Sequence, residues 1–100
     1  MTAQIETASQ IRATSDCVAH EISGETVLLH LTRGTYFGLD RTGSLVWELI
    51  TDGTDFDTLV EDLSRRFQRD PAGIATDMRV FLGELLAHDL ILLNEESGSP

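Results

Sequence analysis

The chain has no lysine, one cysteine, two prolines, one tryptophan and one tyrosine in 100 residues, and each shortage excludes something. Seven arginines are the only strong bases against 17 carboxylates, which leaves a formal charge of −10 at pH 7. A surface of that sign repels nucleic acid and anionic membranes, because both are bound mainly by clustered Lys and Arg. It attracts a flexible cationic peptide, and the field speeds encounter more than it tightens the complex. The lone Cys17 excludes an internal disulfide framework and fits a reducing compartment. The longest uninterrupted apolar run, residues 90–93, is far short of the roughly 20 residues a membrane helix needs. The first ten residues have neither Lys nor Arg and no apolar block, unlike a signal peptide. A soluble, cytoplasmic protein is expected.

What is present is one domain's worth of ordinary globular sequence, 41% hydrophobic and 24% charged. Residues 1–15 are polar with no apolar period, which predicts a flexible arm; residues 94–100 (NEESGSP) read as a flexible tail. The ordered domain is expected over 16–93. Its first third reads as strands. Residues 17–22 are extended, Ser23-Gly24-Glu25 supplies a turn, and residues 26–31 alternate, with Val27, Leu29 and Leu31 on one face and Leu28 and His30 on the other. Thr32-Arg33-Gly34 is a second turn, in which Gly34 suits a left-handed position. A third strand, residues 35–39 (TYFGL), completes an antiparallel meander whose first and third strands are edges.

From Asp40 the period becomes helical. Leu45, Val46, Leu49 and Ile50 mark the inner face of a first helix capped by Asp40 or Thr42. Phe56, Leu59, Val60, Leu63 and Phe67 mark a second, with Thr54 and Asp57 resembling a capping box. Asp70-Pro71 starts a third over 71–88, whose face holds Ile74, Met78, Phe81, Leu82 and Leu85. Val80 lies off that face among Thr76, Gly83 and Ala87, either as a second packing surface or as a single exposed valine. Residues 90–93 return as an extended segment to the sheet or core. The fold class is α+β, winged-helix-like: a three-stranded antiparallel meander followed by three helices.

Catalytic groups are scarce. His20, His30, His88 and Cys17 show no HxxxH, CxxC or HExxH spacing, so no metal site is expected. No glycine-rich phosphate loop is present, and no redox or other cofactor is implied. Cys17 has no neighbouring base to activate it, and the carboxylates are spread over caps and helix surfaces, not paired as acid and base. The chain reads as a non-enzyme. The order of elements alone suggests an alternative, a winged-helix DNA-binding transcription factor. Against it, residues 40–89 hold eleven acids and five arginines, of which only Arg65, Arg66 and Arg69 cluster.

Residues 26–49, TVLLHLTRGTYFGLDRTGSLVWEL, resemble the PqqD-like family, named for protein D of pyrroloquinoline-quinone biosynthesis. The resemblance is carried by Val27, Leu28, Leu29, Leu31, Gly34, Tyr36, Phe37, Gly38, Leu39, Thr42, Gly43, Trp47, Glu48 and Leu49. It continues through Asp70-Pro71, Asp77, Phe81, Leu82, Leu85, Leu90 and Ile91, and covers about 18–93. Two departures stand out: Asp89 replaces the usual glycine, implying a helix end in the left-handed conformation, and Asp40-Arg41 replaces Asn-Pro. The resemblance implies a RiPP recognition element, an adaptor that binds the leader of a ribosomally made precursor peptide and presents it to modifying enzymes. The partners it implies are a radical S-adenosylmethionine enzyme, or a leader peptidase and cyclase. It further implies that the leader adds as a strand beside the third strand, in a groove walled by the third helix. The candidate site is then the backbone of Thr35, Tyr36, Phe37, Gly38 and Leu39, with Asp77, Val80, Phe81 and Glu84 as the helical wall. Which strand side chains face inward stays open.

Overall fold

The computed structural model describes residues 5, 6, 8 and 10–94. Its elements in chain order are β1 (Gln10–Ala13), β2 (Cys17–Ile22), β3 (Glu25–His30), β4 (Thr35–Leu39), α1 (Arg41–Thr51), α2 (Phe56–Phe67), α3 (Pro71–Ala87) and β5 (Ile91–Asn94). The meander β2-β3-β4 followed by three helices is the expected α+β architecture. Local turns build it. Gly34 takes φ 70 and its N–H closes the β3–β4 loop on His30 O at 2.7 Å, a conformation that a side chain would strain. The inner sheet face carries Thr26, Leu28, His30 and Leu39, all buried, and the outer face carries Val18, Val27 and Tyr36.

All three helices form where the period places them, with adjustments at the ends. Asp40 caps α1, accepting from Gly43 N–H at 2.8 Å. The face that α1 buries is rotated from expectation: Val46, Trp47 and Ile50 are buried while Leu45 and Leu49 are half-buried. Tryptophan has the most apolar area to hide, and it decides the rotation. Asp55, not Thr54, caps α2, accepting from Thr58 N–H at 2.7 Å. Along α3, Ile74, Met78, Leu82 and Leu85 are buried as the period predicts, and Asp89 ends the turn at φ 58.

The expected flexible arm over 1–15 needs correction within the described residues. Gln10–Ala13 is a strand, paired antiparallel with Ile91–Asn94 in a second, two-stranded sheet. The reason is burial: Ile11 and Ile91 are 0% and 1% exposed and share one core cluster with the buried Ile5. The ordered unit therefore begins before residue 16, and the C-terminal extended segment joins β1, not the meander. Residues 1–4, 7, 9 and 95–100 lie outside the described residues, so of the expected tail only Asn94, the last residue of β5, is described. Among the described residues no helix is long and apolar enough to cross a membrane.

Candidate peptide-binding groove

β4 pairs with β3 on one side, and no described strand lies on its other side. Which of its backbone groups are left over follows from the ladder. Leu31 N–H donates to Asp16 O at 2.8 Å, toward β2, and strand alternation then turns the polar groups of Thr26, Leu28 and His30 toward β4. Their partners are Leu39, Phe37 and Thr35. Tyr36 and Gly38 accordingly present their N–H and C=O groups at the outer edge. Side chains alternate out of phase with this: Phe37 and Leu39 point inward, while Tyr36 is 72% exposed on the outer face.

Beside this edge runs a groove of about 430 Å³. Phe37, Gly38 and Leu39 form one wall, Asp77, Phe81 and Glu84 of α3 the other, and Met78 and Val46 the apolar floor. Gly43 keeps the floor open, since a Cβ there would sit 3.4 Å from Phe81 Cε1 and 3.3 Å from Asp40 Oδ1. Beyond the groove lining, the His88 ring packs against Phe37, tilted 57° with centroids 4.9 Å apart. There Arg33 of the β3–β4 turn meets Asp89 at 2.5 Å and ties the hairpin to the end of α3.

The groove carboxylates are not equivalent. Asp40 is committed to the α1 cap and Asp77 to Arg69 at 3.1 Å, while Glu84 makes no ion pair among the described residues. Arg66 pairs with Asp62 and Arg79 with Glu6, which takes two helix arginines out of the cationic surface a DNA-reading helix needs. Cys17 lies on the inner sheet face opposite His30, where burial pushes its thiol up despite a backbone hydrogen bond involving Leu29, so it stays protonated at neutral pH. Among the described residues no group of His, Cys, Asp and Glu is arranged to hold a metal ion.

Of the residues singled out from the sequence, the structure brings Phe37, Gly38, Leu39, Asp77, Phe81 and Glu84 together around the groove. Thr35 and Tyr36 belong to the edge strand without lining the groove, and Val80 is 63% exposed and also outside the lining. Asp40, Thr42, Gly43, Val46 and Met78 line it and had not been singled out as site residues. The short step from β4 to the capped start of α1 was the available signal, because it forces the first turn of α1 beside the edge strand.

Residues 25–91 match the family described as Coenzyme PQQ synthesis protein D (PqqD). The chain belongs to the PqqD family. Among solved structures, TbiB1 in complex with the TbiA(beta) leader peptide is similar to this PqqD-family chain, with 35% sequence identity and a TM-score of 0.75 over 80% of this chain and 93% of that one. A lasso peptide synthetase B1 complexed with the leader peptide has a TM-score of 0.73 at 18% identity, covering 82% of this chain and 96% of that one, a likeness of fold alone. No curated protein matches this chain.

Proposed function

We propose that this PqqD-family chain is a non-catalytic adaptor that binds the leader of a ribosomally synthesised precursor peptide and presents the precursor to modifying enzymes in the cytoplasm. The leader adds as a strand to β4 and lays alternate side chains into the groove against α3. The observation that carries this reading is the open edge itself: Tyr36 and Gly38 offer backbone donors and acceptors beside a groove whose apolar part is already shaped by Phe37, Met78 and Phe81. A similar protein, TbiB1, has been solved with a leader peptide, which supports a peptide as the ligand class. The receiving enzyme is a radical S-adenosylmethionine enzyme, or a leader peptidase with a cyclase.

Titrating the isotope-labelled protein with the TbiA(beta) leader peptide tests the reading. Amide shifts are expected at Tyr36 and Gly38 and along the Asp77 to Glu84 wall. Tyr36→Pro removes an edge donor and should abolish binding, while Tyr36→Ala keeps the amide and should retain it. Binding that survives Tyr36→Pro unchanged would exclude strand addition at this edge.

A further inference from the structure

The groove does not stop at the end of β4. A second cavity of about 180 Å³ adjoins it, and Thr42, Asp77 and Met78 border both. Its own walls are Leu63 and Phe67 of α2 and Ile74 of α3, with Arg69 at the rim. Leu63, Ile74 and Met78 are buried, yet Phe67, which the helical period of α2 aligns with Leu63, is 41% exposed. The end of α2 accounts for this. Gln68 turns the chain at φ 53, Arg69 N–H donates to Ser64 O at 3.1 Å, and Ser64 Oγ donates back to Arg69 O at 2.5 Å. Arg69 then reaches Asp77 across the rim. Phe67 is thereby fixed as a lip over an aliphatic floor and does not plug it. A dry cavity of roughly 150 Å³ lined by Leu, Ile and Phe accepts a benzene-sized guest, so this one has room for a single aliphatic or aromatic side chain.

We propose that this cavity is a second anchor site for the leader peptide, receiving one aliphatic or aromatic side chain from just outside the stretch paired with β4. The inference rests on strand addition at β4. That strand runs from Thr35 toward Leu39, and a ligand that follows its edge in that direction arrives at Thr42, the boundary between the two cavities. The continuity of the lining makes the peptide the occupant. The Asp77–Arg69 pair puts both charges at the rim, so the anchor's neighbours are polar and its own side chain is not.

The test pans a library of displayed random peptides, long enough to span both cavities, against the intact protein. Enriched peptides should carry one aliphatic or aromatic position beyond the strand-paired stretch, and its replacement by Ala should weaken binding about tenfold. In Phe67→Ala, which alters a part-exposed helix-end residue and should keep the native amide spectrum, the same replacement should cost less than about twofold, a non-additivity no general loosening produces. Enrichment confined to strand-paired positions, or additive losses, would overturn the second anchor and leave strand addition standing. No enrichment, or enriched peptides that bind Tyr36→Pro as well as the parent, would overturn both.

Discussion

The two sheets of this molecule treat their edges in opposite ways. In the ribbon, β1 pairs with β5 on one side, and on the other Ile11 exchanges backbone hydrogen bonds with Thr54, at 2.5 and 2.9 Å, so the strand has no free edge there. In the meander, β4 has β3 on one side and a groove on the other. An unpaired edge is a template for any passing strand, and proteins usually cover or charge it. Here the short strand is left open but flanked by Asp40, Asp77 and Glu84, which discourages pairing with a second copy of this acidic chain while admitting a cationic one.

The same substitution made in each sheet gives the largest contrast. Ile11→Pro removes a donor that is bonded to Thr54 in a fully buried setting, and should cost about 3 kcal/mol or more of a total stability of roughly 5–15. Tyr36→Pro removes a donor that faces solvent and should cost less than about 1 kcal/mol, since proline is tolerated at that side of an edge strand. Urea unfolding of both variants measures the difference. Equal losses would mean that the β4 edge is already paired in the free protein.

That contrast also separates what the sequence disclosed from what it hid. The meander was legible because its pairings are local: Gly34 closes one loop, and alternation marks the strand before it. The α3 start was legible from Asp70-Pro71, and the αL end at Asp89 from its place in the family pattern. The ribbon was hidden because its two strands are four residues each, lie at opposite ends of the chain, and each bury mainly one isoleucine, too little to make a period. At the candidate site, alternation sorted Tyr36 from Phe37 without saying which faced in. The free donors at Tyr36 and Gly38 depend on which way β3 bonds, and the Leu31–Asp16 hydrogen bond fixes that.

A smaller effect lies on the closed side, next to Thr54. Hydrogen bonding from the Thr58 side chain, then from its backbone N–H, holds the Asp55 carboxyl below the usual carboxylate range. Because the folded value is depressed, the cap's charge contribution is complete above the unfolded value of about 3.9 and is lost as pH falls through the folded value. Asp55→Ala should therefore cost about 1 kcal/mol at neutral pH, and the gap between variant and parent should narrow in acid. Urea midpoints at the two conditions check it; a constant gap would assign the cap to geometry and not to charge.

The smallest expected effect is the most informative about the open side, because β4's tip is tied to α3 by exposed groups where β1 is held by buried ones. Asp89 occupies the left-handed region at φ 58, where a Cβ is a penalty, and it also pairs with Arg33, each side chain more than half exposed. Asp89→Gly removes about 1 kcal/mol of backbone strain and forfeits a pair contributing about 0 to 1, so the two terms nearly cancel in overall stability. The pair is better isolated by Arg33→Ala in both backgrounds. If the clasp contributes, Arg33→Ala lowers the unfolding free energy in the parent by up to about 1 kcal/mol, less at high salt, and changes nothing once Asp89 is glycine. An identical loss in both backgrounds would show that Arg33 acts through its own turn, leaving the hairpin tip free to move relative to α3 and the groove mouth adjustable to its ligand.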